Sequence, residues 1–414
     1  MQPISQQFEQ EIQPYINNLR IELKDFFDAK MEADFRIQAA AVHAKGENLC
    51  EFAQKFLEKQ KTRERLTEHF RDRIPVEFSM FEADRPKTQG TSAGGVIRKK
   101  YPTPYPALFM QKTAPKGTYS GDGDFIEIEY ITAPLYTRWL YDRAPVIAGT
   151  KDAKAALRSK FLPGFKNFSA CSPQEIKQAT GAEKVFAAIL FGAENDPNTG
   201  NIGLITIKDV NGNDQRVFAK IDHGWSAAKF FTKPEKALEY LANIFNKYNY
   251  QGKIILNVTQ LKEAIDAMTT ITDEEIDNII EIRTQELVTM GAYLGKLPIT
   301  DNENTKPNSS YNNSSSPSKQ EFVSQLQDSF KKQKQAMIQL SANLDIVAKI
   351  SGPGIDDVWR NGQWLQDIKG NDPIAWAVVN GKQIEGQDPI AWAVTNNYWN
   401  ENKELELLNL IGKK

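Results

Sequence analysis

Residues 196–224 constrain the fold more than any other part of the chain. Asp196 and Asn201 are followed by an apolar run over 202–210, the turn "NGND", a second apolar run over 216–221, and then Asp222-His223-Gly224. Asn-Gly supplies the positive φ values that a tight hairpin turn requires, so the two runs are expected to pair antiparallel. That pairing brings Asn201 and Asp222 to the same end. Two oxygen donors side by side suit Mg²⁺ held against phosphates, and Asp196 is then placed to orient an acceptor hydroxyl and take its proton. An Asp followed five residues later by Asn is common by chance; its conjunction with a hairpin and Asp-x-Gly is far more specific. The competing reading is an acidic surface hairpin with solvated charges.

The same order of parts occurs in ATP-dependent kinases: a catalytic Asp, an Asn five residues on, a short hairpin, and Asp-x-Gly. Such a site needs a glycine-rich phosphate loop and a strand lysine upstream. "QGTSAGGVIRKK" from Gln89 offers Thr91, Ser92, Gly94 and Gly95 as N–H and hydroxyl donors for the nucleotide. "YPALFMQK" reads as a strand ending in Lys112, with Lys99 and Lys100 as rivals. The helix expected after Asp124 carries Glu129, with Glu127 as its rival, to pair with that lysine and aim it at the phosphates.

The rest of the chain divides by texture. Residues 1–75 form a helical region, with Phe8, Ile12, Ile16, Leu19 and Leu23 at helical steps and Pro75 as a break. Over 76–299 short strand-like runs give way to helices, an α+β pattern. Residues 300–318, "TDNENTKPNSSYNNSSSPS", have almost no apolar content and read as a flexible linker. A separate all-α module is expected over 319–414, with a helix at 320–350 and the repeat "IKGNDPIAWA" and "IEGQDPIAWA". In each copy Asp precedes Pro, at Asp372-Pro373 and Asp388-Pro389, which suits an N-cap followed by the first helical residue. Trp376 and Trp392 then belong to the core.

The formal net charge of −2 argues against nucleic acid as a partner. Cys50 and Cys171 fit no metal spacing and read as reduced thiols. No apolar run approaches the roughly 20 residues that span a bilayer, and the polar N-terminus lacks a signal-peptide core.

"GTSAGG", "LFMQK", "GAENDPNTGNIG" and "AKIDHGWS" resemble the atypical kinase-like domains of Legionella Dot/Icm effectors, among them the N-terminal kinase-like domain of LepB. The likeness covers roughly residues 76–250. It implies a bilobal kinase-like fold, ATP and Mg²⁺ as cofactors, and a protein injected into a host cell by a type IV system. Carried over, Asp196 matches the catalytic Asp, and Asn201 and Asp222 the metal ligands. Two features depart from the pattern: Asn195 stands where protein kinases have Arg in His-Arg-Asp, and no Ala-Pro-Glu follows Asp222. The short run from Asp222 to the next helix leaves little room for an activation loop.

An active kinase is the first expectation, with a protein hydroxyl favoured over a phosphoinositide as acceptor. A pseudokinase scaffold and a membrane-targeted binding protein are the alternatives. Two further partners are expected. The C-terminal module is a candidate phosphoinositide binder through Trp359, Trp364, Trp399, Lys331, Lys332 and Lys334. A host inositol polyphosphate is a candidate activator, held by cations of residues 55–73 and by Lys151, Lys154, Arg158 and Lys160 at helical spacing. The acidic tail with Glu401, Glu404 and Glu406 looks like a secretion signal of the same system.

Overall fold

The computed structural model describes residues 6–23, 27, 29–71, 76–77, 81–86, 93–100, 108–113, 126–151, 156–209, 211–289 and 319–399. Three helices open the chain: α1 (Gln6–Leu23), α2 (Ala29–Ala44) and α3 (Leu49–Arg71). Phe8, Ile12, Ile16, Leu19 and Leu23 fall on one face of α1 and are buried. They share a core with Phe35 and Ala39 of α2 and with Ala53 and Phe56 of α3, the Phe35 and Phe56 rings meeting edge-on at 5.1 Å. Asn48 caps α3 by accepting from the backbone N–H groups of Cys50 and Glu51. Lys55 pairs with Glu51 and Lys61 with Glu22 of α1, so these two cations are met by acids of the same bundle.

A six-stranded sheet follows. Its strands are β1 (Val76–Glu77), β2 (Phe81–Pro86), β3 (Ala93–Lys99), β4 (Leu108–Thr113), β5 (Ile147–Lys151) and β6 (Ala156–Lys160), in the order β1-β5-β6-β4-β3-β2. Among the described residues of this sheet, β1 and β5 pair in parallel and the other neighbours antiparallel. Between β4 and β5 run α4 (Ile126–Leu140) and a 3-10 turn at Tyr141–Arg143. Alternation along the strands puts Phe81, Ile97 and Phe109 together on one face. The cross-strand pair Lys112 and Leu157 lies on the other face, and Leu157 joins the core that includes α4. The cationic run Lys151 to Lys160 is therefore a pair of strands where helical spacing was expected. Pairing with β4 decides it, since strand preference depends on neighbours more than on the residue itself. Arg158 is buried, its guanidinium 5.2 Å from both the Phe81 and Phe109 rings, and Lys154 lies outside the described residues.

The larger part of the molecule starts with β7 (Lys166–Asn167), α5 (Pro173–Gln178) and α6 (Ala182–Phe191). Helix α6 is apolar and buried from Val185 to Phe191, as a central helix must be, and only Lys184 in its first turn is exposed. Strands β8 (Ile202–Lys208) and β9 (Asp214–Lys220) form the expected hairpin and join β7 in a three-stranded sheet. Helices α7 (Pro234–Lys247), α8 (Val258–Thr269) and α9 (Asp273–Thr289) complete this part before residue 290. After the polar segment come α10 (Lys319–Lys349), β10 (Ile350–Ser351), a π-turn at Trp359–Gln363, α11 (Trp364–Ile368), α12 (Pro373–Val379), β11 (Gln383–Ile384) and α13 (Pro389–Thr395). Asp372 and Asp388 cap α12 and α13 as the repeat implied, each accepting from two backbone N–H groups at 3.0 Å.

The C-terminal region is not a separate module. One apolar core runs without interruption from Ile128 to Ala393, and α10 contributes Phe322, Leu326, Phe330, Met337, Leu340, Leu344 and Val347 to it. Gln333 of α10 donates to Leu190 O at 2.7 Å and accepts from Phe231 N at 2.8 Å. Trp359 and Trp364 are buried, and the Trp364 indole N–H donates to Leu256 O. Lys331 and Lys334 are paired with Asp277 and Asp273 of α9. The aromatic and cationic residues expected to face a membrane are thus largely spent on packing against the same body. A polar linker does not tell whether the segment after it docks; the apolar stripe of α10 does, because burying it stabilises the pair.

Gly203 shows how closely the hairpin is packed. A Cβ there would sit 2.3 Å from Lys166 O of β7 and 2.7 Å from the Phe165 ring. Gly203→Ala is expected to lower unfolding free energy by about 1–3 kcal/mol through overpacking, read as a fall in melting temperature; an unchanged melting temperature would show that β7 can shift aside.

Candidate active site

Lys112 lies one residue before the end of the central strand β4 with its side chain 5% exposed, and it is held between two carboxylates. Its Nζ lies 2.7 Å from Glu129 Oε2 of α4 and 2.8 Å from Asp222 Oδ1. Burial works against the ammonium charge, but Glu129 and Asp222 outweigh it and hold the group above the ordinary lysine range. Burial likewise pushes the Asp222 carboxyl up, and Lys112 and Lys220 together overcome this and keep it below its usual value. Of the two glutamates considered, Glu129 makes the pair. Glu127 lies elsewhere on α4, its carboxyl pushed up by burial. Of the rival lysines, Lys100 is exposed, and Lys99 is directed over the Phe109 ring on the opposite face of the sheet.

Asp196 follows α6 in a loop that closes on itself. Its Oδ2 accepts from Asn198 Nδ2 at 2.7 Å and its Oδ1 from the Tyr248 hydroxyl at 3.2 Å. Asn201 Nδ2 donates to Asp196 O at 3.1 Å, which links the two residues directly. Asn201 O accepts from Ile221 N at 2.8 Å, and Ile202 pairs with Lys220, so the hairpin does bring Asn201 beside Asp222. Asp222 sits at φ 58°, in the left-handed region that Asp tolerates better than most side chains. Among the described residues there is no group of three or more His, Cys, Asp or Glu side chains able to hold a metal. The oxygens of Asn201 and Asp222 still fit Mg²⁺, which commonly takes one or two protein ligands and completes its shell with phosphate and water.

The glycine-rich segment differs from expectation. Gly94 and Gly95 are ladder residues of β3, paired with Lys112 and Gln111 of β4, rather than turn residues. Gly95 also pairs with Pro86, and a Cβ on it would meet Arg85 O at 3.3 Å, so close strand approach explains this glycine. Thr91 and Ser92 lie outside the described residues.

Sequence reasoning missed a buried network beneath these groups. Glu194 and Lys220 are both fully buried and 3.3 Å apart. Tyr136 of α4 donates to Glu194 Oε2 at 3.0 Å, and Ser226 Oγ lies 3.1 Å from the same oxygen. Burial lifts the Glu194 carboxyl above its usual value despite Lys220 alongside. The His223 ring stacks on Tyr136 at 3.9 Å; burial, with Lys220 and Lys112 nearby, holds it neutral. One signal was present: a lysine closing the apolar run of β9 is anomalous for a buried strand end.

Helix α9 braces α4 from outside. The Tyr130 hydroxyl donates to Glu286 at 2.6 Å, Arg283 donates to that hydroxyl at 3.0 Å, and Arg138 pairs with Glu275 at 2.9 Å. The segment after Asp-His-Gly is equally restrained: Ala227 N donates to Gly192 O and Ala228 N to Ala193 O, while Trp225 O accepts from Asn195 N.

The fold defines an α+β protein in which a six-stranded sheet and a larger, mainly helical body meet at Lys112, Glu129 and Asp222. The chain belongs to the LepB N-terminal domain family, whose model matches residues 136–342. That match runs from α4 into α10, across 300–318, in keeping with the shared core. Among solved structures the chain is similar to a Helicobacter pylori proinflammatory kinase, CtkA, at 12% identity and a TM-score of 0.34, covering 64% of this chain and 99% of that one. No curated protein matches. Among the described residues no helix is long and apolar enough to cross a membrane.

Proposed function

We propose that this protein is an ATP-dependent kinase that transfers the γ-phosphate to a hydroxyl, with a protein Ser or Thr as the favoured acceptor. The observation that carries this reading is the meeting of Lys112 with both Glu129 and Asp222, beside the linked pair Asp196–Asn201. A lysine held by a helix glutamate is preorganised to meet phosphate oxygens without paying reorganisation at the moment of reaction. Asn201 and Asp222 would hold Mg²⁺, which when bound neutralises charge on the phosphates. Asp196 would serve the acceptor, its carboxylate held by Tyr248 and Asn198 so that one oxygen can take the hydroxyl proton. The presence of Lys112, Asp196, Asn201 and Asp222 together speaks against a pseudokinase scaffold.

A phosphoinositide acceptor is the second reading. Exposed Lys229 and Lys233 follow Asp-His-Gly, and Lys229 lies 4.9 Å from the Tyr240 ring, whose hydroxyl bonds Glu194 O. Radiolabelled ATP incubated separately with cell lysate and with mixed phosphoinositide vesicles distinguishes the two acceptors; label in neither, with folded protein and Mg²⁺ present, removes the kinase reading. The family match supports reading the protein as an effector secreted into a host cell, which a translocation reporter fused to the full chain checks.

The brace on α4 gives a graded prediction. Arg283→Met should cut turnover by roughly 5- to 20-fold and raise KM for ATP, because it loosens the helix that carries Glu129. Unchanged kinetics would show that α4 is held in place without α9.

A further inference from the structure

We propose that Lys220, paired with Glu194, is a positioning residue for Asp222: it fixes the left-handed backbone of the metal-binding aspartate and ties it to α4. The inference rests on the phosphotransfer reading above. Lys220 Nζ donates to Asp222 O at 2.7 Å and to Ile221 O at 3.1 Å, and it has no exposed surface. Both carbonyls belong to the two residues that lead into His223-Gly224. A non-glycine residue at φ 58° persists only where its surroundings over-determine it. Here the lysine supplies that determination.

Glu194 completes the device. Protein kinases carry His-Arg-Asp where this chain has Glu194-Asn195-Asp196. An acid at the histidine position calls for a buried cation, and Lys220 provides it from the end of β9. The same Glu194 oxygen bonds Tyr136 of α4, and His223 stacks on that tyrosine. One network therefore joins the residue two before Asp196, the backbone of Asp222 and the helix that carries Glu129. Fold stability alone does not explain it, because a buried ion pair can often be replaced by neutral groups of similar volume without loss.

That last property supplies the test. The double variant Lys220→Met/Glu194→Gln removes both charges, keeps the side-chain volumes and leaves Tyr136 an acceptor. It should melt close to wild type, yet need about tenfold more Mg²⁺ for half-maximal turnover and lose about tenfold in kcat, while metal-free nucleotide binding stays unchanged. Lys220→Arg keeps both charges and decides the matter should the double variant fail to fold. Its planar guanidinium does not reproduce two donor directions from one nitrogen, so the Mg²⁺ requirement should rise several-fold. A wild-type Mg²⁺ requirement in either folded variant overturns the assignment of Lys220. Wild-type protein that neither transfers phosphate nor binds nucleotide in a Mg²⁺-dependent manner overturns the kinase reading itself, before any variant is compared.

Discussion

Asp222→Asn will abolish Mg²⁺-dependent phosphoryl transfer, with an expected loss of roughly 10³-fold or more. Asparagine is the informative replacement. It keeps the size of the side chain and tolerates the left-handed backbone at φ 58°, so strain does not confuse the result. Lys112 retains Glu129 at 2.7 Å, so its buried ammonium is still paired and the site should stay folded. What is lost is the charged oxygen available to a metal. Calorimetric titration with ATP should show the Mg²⁺-dependent part of binding disappear. Turnover at the wild-type rate would remove Asp222 from the metal site and the kinase assignment with it.

Asp196→Ala is expected to behave differently: turnover falls by about 10²- to 10⁴-fold while nucleotide affinity stays within about threefold of wild type. The structure explains why the two effects separate. Asn201 is anchored to the main-chain oxygen of Asp196, which the substitution leaves in place, so the metal side of the loop keeps its shape. The donors freed by the change, Asn198 and Tyr248, are only partly buried, and water can satisfy them. A parallel loss of nucleotide binding would instead mean that Asp196 organises the whole loop.

These contacts bear on control. The residues between Gly224 and α7 are few, and their backbone is bonded to Gly192, Ala193 and Asn195. The next residues are bonded to Gln333 of α10, and α10 in turn holds α9 through Lys331 and Lys334. A helix that follows a polar linker thus supports both the segment after Asp-His-Gly and the helix that braces α4. On the kinase reading proposed above, these contacts would do the holding that a phosphorylated activation loop does elsewhere.

The sequence by itself determined the local pieces. Asn-Gly set the hairpin, Asp before Pro set the starts of α12 and α13, and helical periodicity set α1, because each depends on backbone preferences or on one element's own face. Hairpin pairing also placed Asn201 beside Asp222, since register within a hairpin follows from its turn. Other features were decided only by tertiary structure. Whether Glu127 or Glu129 meets Lys112 depends on how α4 lies across the sheet. The strands at Arg158 and Lys160 exist because β4 offers them a partner. Docking of α10 required a groove built from α6, α7, α8 and α9, which no polar linker announces. The Glu194–Lys220 pair was hidden for the same reason: the two residues are distant in sequence, and a buried charge makes sense only once its partner and the carbonyls it serves are packed around it.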